Sequence, residues 1–150
     1  GSTIFMIALI QRVTNGQVMI DSQCVAQIET GIVALVAVQS GDSIEKGKRL
    51  FERIINYRIF ADNADKMNLS LLDIHGGLII VPQFTLLADT TRGNRPGFSK
   101  NVPAEVGKYH FEQLIDYAKN EYNHVQHGVF GADMQVSLTN NGPVTFWLEV

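Results

Sequence analysis

The sequence predicts a single α+β domain, rich in strand, with a layered or barrel-like sheet and a few packed helices. Three observations carry this. The 150-residue chain is 45% hydrophobic, enough for one well-buried core. Its β-branched apolar runs come in groups instead of alternating regularly with helices, which argues against a doubly wound parallel sheet. Only two stretches show helical spacing. The reading totals about seven strands and two helices, with no repeats, linkers or low-complexity segments.

Gly1 to Phe5 reads as an expression-tag remnant ahead of a native start at Met6, so the domain is expected to span 6–150. Met6 to Val13 is apolar and β-branched. Thr14-Asn15-Gly16 then reads as a turn and Val18 to Ile20 as the returning strand of a hairpin. Val25 to Ile28 is a short strand. Ile32 to Val38, opened by Gly31, is a buried strand. Asp42-Ser43-Ile44-Glu45 has a capping-box pattern with Asp42 as the cap. Behind it Ile44, Leu50, Phe51, Ile54 and Ile55 predict a helix from Ser43 to about Asn56. Its other face carries Lys46, Lys48, Arg49, Glu52 and Arg53, which suits a solvated surface or a polyanion contact.

Leu78 to Val81 follows Gly76-Gly77 as a strand, and Pro82 points to an edge or a bulge. Phe84 to Ala88 resumes the strand. Asp89 to Asn101 is a polar loop. Pro103 suits a first helical turn, and Tyr109, Phe111, Leu114, Ile115 and Ala118 supply a helix face up to about Tyr122. Gln126 to Gly131 is loop or short extended chain. Met134 to Leu138 and Val144 to Val150 alternate as two strands, joined through Thr139 to Pro143.

Composition excludes several classes. The longest apolar run, Ile32 to Val38, is far short of the ~20 residues of a membrane helix, so no membrane role is expected. One cysteine, Cys24, allows no internal disulfide and reads as an inert core residue. With no export signal evident, a cytoplasmic home is expected. Twelve Lys+Arg against fifteen Asp+Glu argue against a broadly basic coat but allow a local basic patch. No nucleophile elbow, Walker loop, dinucleotide fingerprint, zincin motif or C-x-x-C is present. His124 and His127 lack a third ligand nearby, so no metal and no cofactor are expected.

Two segments stand out. Pro82-Gln83-Phe84-Thr85-Leu86 places an amide and a hydroxyl directly after an apolar strand, with Arg92, Arg95 and Lys100 in the loop beyond. Asn140-Asn141-Gly142-Pro143-Val144-Thr145 is either a simple hairpin turn or a rigid backbone probe, since glycine permits close approach.

Together these segments resemble the D-aminoacyl-tRNA deacylases, the D-tyrosyl-tRNA deacylase family. The ordered set extends the likeness across Met6 to Val150: Met6 to Val13, Tyr57 to Phe60, Lys66 to Asn68, Gln83 to Leu86, Ala132 to Leu138 and Asn141 to Phe146. The resemblance implies the family's fold, a homodimer with its active site at the subunit interface, and hydrolysis of the ester joining a D-amino acid to the 3′ end of tRNA. It implies that Gly142 and Pro143, joined by a cis peptide, enter the partner's pocket. Gln83, Phe84 and Thr85 would line that pocket, Phe130 and Met134 would form its wall, and Arg12 would brace the Gly-Pro loop. Pro82 stands where the family usually has serine, which removes a hydroxyl and an N–H and lends weight to the alternative of a non-catalytic RNA-end or amino-acid-binding module on the same fold. Arg92, Arg95 and Lys100 are expected to meet the acceptor end.

An aminoacyl ester is reactive enough for positioning and backbone donors to accelerate its hydrolysis. Thr85 is a candidate nucleophile, but no histidine or carboxylate lies near it in sequence. The neighbouring hydroxyl of the terminal adenosine offers a substrate-assisted route. Glycine, lacking a side chain, would escape a chirality filter built on side-chain clash.

Overall fold

The computed structural model describes residues 6–39, 43–99 and 101–150. Its first strand, β1 (Ile7–Ile20), is longer than expected. It continues through Thr14-Asn15-Gly16, where the sequence predicts a turn, with only a shift of register against the last strand between Val13 and Asn15. Gly16 is there for packing: a Cβ would sit 2.8 Å from Val33 Cγ2. The hairpin turns instead at Asp21-Ser22, both left-handed with φ of 49° and 65°, the conformation that matches the twist of the flanking strands. It leads into β2 (Gln23–Ile28). Cys24 on β2 is exposed, not a core residue. A register shift at Val25, between Ala26 opposite Val18 and Cys24 opposite Met19, turns it off the face on which Ala26 and Ile28 are buried.

β3 (Gly31–Ala37) continues along the same edge of β1, with Gly16 opposite Ile28 and Val13 opposite Gly31. Parallel to β3 runs β6 (Gly77–Pro82), and parallel to β6 runs β7 (Val125–His127). A Cβ on Gly31 would lie 1.9 Å from the Gly77 carbonyl oxygen, so two glycines let these strands start in contact. The last strand, β8 (Gln135–Glu149), is one element, not two strands around a turn. Both halves pair antiparallel with β1, from Met19 opposite Gln135 to Ile7 opposite Glu149. The Asn-Asn-Gly-Pro stretch is an excursion within it. The sheet rolls until β2 meets β7. There the Gln126 side-chain amide accepts from the Gln27 N–H and donates to the Gln27 carbonyl, each at 2.7 Å. One side chain thus imitates a strand pairing and nearly closes a barrel.

Strand alternation divides the core. Ile32, Ala34, Leu78 and Ile80 face the helices, while Val33, Ile79 and Val81 pack with Val13, Val18 and Ile28 on the other face. Burial on both faces explains the unbroken apolar run of β3.

Helix α1 (Ile44–Asn56) has Ser43 as its cap, the hydroxyl accepting from the Lys46 N–H at 3.2 Å. The expected cap, Asp42, lies outside the described residues. Helix α3 (Ala104–Glu121) buries Gly107, Phe111, Leu114, Ile115 and Ala118 against α1 and the sheet. Tyr109 is 51% exposed and does not belong to that face. Three short elements carry too little periodicity to be read from sequence. They are the pair β4 (Phe60–Ala61) and β5 (Met67–Leu69), and α2 (Leu71–Ile74), held by a reciprocal Ser70–Asp73 cap.

Candidate active site

β6 delivers the first segment. Pro82 is the last residue of β6, paired with Val36 of β3 on one side and beyond the end of β7 on the other, so the strand is a local edge there and not a bulge. The Gly128 N–H bonds Ile80 and the Gln83 N–H bonds Val36 at 2.8 Å. By alternation the Pro82 nitrogen therefore faces the β7 side, where β7 has already ended. Its missing N–H costs the ladder nothing.

After Gln83 the chain tightens into a 3₁₀ turn over Phe84–Leu87 instead of continuing as strand. Leu87 buries inward beside Ile7 and Ala37 while Phe84 and Thr85 turn outward. The Gln83 amide nitrogen donates to the Thr85 hydroxyl oxygen. No histidine or carboxylate of the described residues is bonded to Thr85. Phe84 is 56% exposed and its ring meets Phe98 at 5.5 Å between centroids.

Beside this turn opens a cleft of about 430 Å³, lined by Val81, Pro82, Gln83, Phe84, Asn101, Val102, Phe130 and Met134 among others. Thr85 is not among the lining residues. Two glycines shape the wall. A Cβ on Gly107 would lie 2.8 Å from the Phe130 ring, and one on Gly128 would lie 2.6 Å from Met134 Sδ. The sequence reading passed over both, together with Asn101 and Val102. A glycine at a buried helix position was the available signal for Gly107.

The second segment lies elsewhere. Gly142-Pro143 is a cis peptide, Gly142 has φ of 140°, and both residues are exposed. Asn140 spans the excursion, its Oδ1 accepting from the Val144 N–H at 2.6 Å and its Nδ2 donating to Thr145 Oγ1 at 2.9 Å. Arg12 ties it to the body: Nε donates to the Asn141 carbonyl at 2.9 Å and Nη1 to the Ile59 carbonyl at 2.7 Å. Arg12 is level with Ile32 and Leu78, whereas Pro82 is level with Val36 and Ala8. Four strand residues, roughly 13 Å, separate the two levels. Neither Gly142 nor Pro143 lines the cleft of its own chain.

Arg92 and Arg95 are exposed on a loop closed by paired backbone bonds between Asp89 and Gly97. Asp89 also accepts from the Thr91 N–H and hydroxyl. Phe98 places this loop next to Phe84. Lys100 lies outside the described residues. Among the described residues no three His, Cys, Asp or Glu side chains converge as metal ligands.

The sequence profile of a family described as D-Tyr-tRNA(Tyr) deacylase matches residues 9–149. The chain belongs to this family. A D-aminoacyl-tRNA deacylase of Francisella tularensis is 51% identical over 145 residues, 97% of this chain and 100% of that one. One of Nitrosococcus oceani is 50% identical over 97% of this chain and 94% of its own. Among solved structures, a c-Myc DNA unwinding element binding protein superposes with TM-score 0.90 at 31% identity, over 97% of this chain and 99% of that one. A structure titled as a probable eukaryotic D-amino acid tRNA deacylase superposes with TM-score 0.85 at 15% identity, over 98% and 100%, a likeness of fold alone. The barrel-like α+β fold expected from the sequence is therefore the family's fold.

Proposed function

We propose that this protein hydrolyses the ester of D-aminoacyl-tRNA as a homodimer, each cleft being completed by Gly142-Pro143 of the other copy. Family membership over nearly the whole chain carries the enzymatic reading. The dimer reading is supported by the separation of the two segments in one chain and by the outer edge of β8. Among the described residues that strand pairs only with β1, and it exposes Val136 and Trp147, an edge of the kind proteins usually cover.

In this arrangement Gln83, Phe84, Phe130, Met134 and Pro82 hold the terminal adenosine and its ester. The Gly142 backbone pins the amino group, and one enantiomer then directs its side chain into backbone. Thr85 orients Gln83 and is not the nucleophile; water attacks with help from the neighbouring ribose hydroxyl. Arg92, Arg95 and Lys100 steady the acceptor end. No helix among the described residues is long and apolar enough to cross a membrane. The tRNA substrate of this reading supports a cytoplasmic setting.

Deacylation of D-tyrosyl-tRNA and L-tyrosyl-tRNA, followed side by side with chelator present, tests this. Rapid loss of the D-ester alone is expected. Equal survival of both esters would refute the reading.

A further inference from the structure

Outside the cleft, α1 carries a second feature that the deacylase reading does not use. An open groove of about 340 Å³ is lined by Arg49, Glu52, Arg53, Asn56 and Tyr57. Arg49 and Arg53 stand one turn apart, about 6 Å along the helix axis. Among the described residues neither guanidinium has a carboxylate within ion-pair distance. The acids around them are engaged elsewhere. Glu52 accepts from the Tyr117 hydroxyl at 2.8 Å, which holds that phenol's pKa up at about 12. Glu45 pairs with Lys48 at 3.7 Å, and Lys48 sits over the Tyr117 ring. Arg53 lies 5.7 Å from the Tyr57 ring centroid, and Tyr57 meets Phe146 of β8 edge-on at 5.4 Å.

The groove is anchored to the Gly-Pro excursion. Arg12 bonds the carbonyls of both Ile59, two residues past Tyr57, and Asn141. Phe146, the floor under Tyr57, is three residues past Pro143. One end of the molecule therefore presents the backbone probe and two guanidiniums with no ion-pair partner among the described residues, Arg53 lying over the Tyr57 ring.

We propose that this groove is a docking surface for the phosphate backbone of the tRNA acceptor strand. It is presented by the subunit whose Gly142-Pro143 enters the cleft, so the subunit that grips the RNA is opposite the one that holds the ester. This rests on the deacylase reading for the identity of the RNA. Guanidiniums bind phosphate in a planar two-bond geometry, and each phosphate contact releases counterions and steepens the salt dependence. The formal charge of −3 argues against a broadly basic coat and leaves polyanion binding to local patches.

The test compares wild type with Arg49→Gln/Arg53→Gln in the full-length protein. Binding of uncharged tRNA is measured by fluorescence anisotropy across a salt series, and hydrolysis is measured on D-tyrosyl-tRNA and on the stemless ester D-tyrosyl-adenosine. The double variant is expected to weaken tRNA binding and raise KM for D-tyrosyl-tRNA on the order of tenfold. The slope of log K against log salt should fall by about 1.4 to 1.8. D-tyrosyl-adenosine hydrolysis should stay at the wild-type rate, and Arg49→Lys/Arg53→Lys should recover most of the tRNA effect. An unchanged tRNA KM and salt slope overturns the proposal, as does an equal loss on both substrates. Tighter binding of an acidic peptide than of tRNA also overturns it. If wild type hydrolyses neither ester but its tRNA binding still depends on the arginine pair, the groove assignment stands and the deacylase reading falls.

Discussion

Gly142 shows how little room the proposed probe has. Its φ of 140° lies where L side chains are strained, and a Cβ would lie 2.6 Å from Val144 Cγ2 and 3.1 Å from Arg12 Nη2. Gly142→Ala should lower stability by about 1–3 kcal/mol. By displacing the excursion it should cost at least about a hundredfold in D-ester hydrolysis. Thermal denaturation and single-turnover kinetics read the two effects separately, and full activity would refute the probe. Thr85 makes the opposite prediction. Among the described residues its side chain has one hydrogen bond, accepted from the Gln83 amide. Thr85→Ala should remove a neutral hydrogen bond, about 0.5–1.5 kcal/mol, and slow hydrolysis by tenfold or less. A tRNA ending in 2′-deoxyadenosine should resist cleavage by wild type. Abolition by the alanine variant, with the 2′-deoxy substrate still cleaved, would make Thr85 the nucleophile. These residues were legible as motifs because glycine, proline and amide chemistry are local. Gly107 and Gly128 were not, since their reason is a ring and a sulfur brought in from elsewhere in the chain.

At the level of elements, Pro82 is the informative case. Its nitrogen faces the side on which β7 has ended, and the turn that follows is held by the Gln83 N–H on Val36. Pro82→Ser should therefore change stability by no more than about 1 kcal/mol and leave the Gln83–Thr85 pair intact. We expect kcat/KM for the D-ester to stay within about threefold, a change of less than 1 kcal/mol in barrier. A tenfold rise on steady-state assay would show that the serine hydroxyl takes part in the chemistry. The elements misread from sequence share one cause. Asn15-Gly16 and the Gly142-Pro143 region both carry turn residues inside long strands, β1 and β8. Those two strands run side by side over almost their full length, and cross-strand pairing outweighs local turn preference. Phe84 to Leu87 went the other way. An apolar run with strand character bends into a 3₁₀ turn because only Leu87 finds a buried place.

For the whole molecule, barrel closure depends on one side chain. Gln126 makes the two bonds to Gln27 that a strand pair would otherwise make. Gln126→Leu should cost about 1–2 kcal/mol and raise hydrogen exchange at the Gln27 amide, with D-ester hydrolysis little changed because the Gln126 side chain reaches Gln27 and does not line the cleft. Unchanged exchange would mean that β2 and β7 are held by packing alone. The proposed dimer works at the same scale. Each chain offers a cleft at one level of the sheet and a probe at another, about 13 Å along the strand direction, so in this reading a complete site needs two copies.

What the sequence determined by itself follows from period and local chemistry. The α+β class, the buried β3, α1, α3 and the two motif segments are all set by near neighbours in the chain, and the ordered motifs carried the family resemblance. Tertiary structure decided the rest. It made β1 and β8 continuous. It exposed Cys24 and Tyr109, rolled the sheet onto Gln126, and separated the Gly-Pro excursion from the Gln-Phe-Thr turn. Each of these depends on which distant strand or helix lies opposite a residue. That pairing sets burial and hydrogen-bond partners, and no window along the chain contains it.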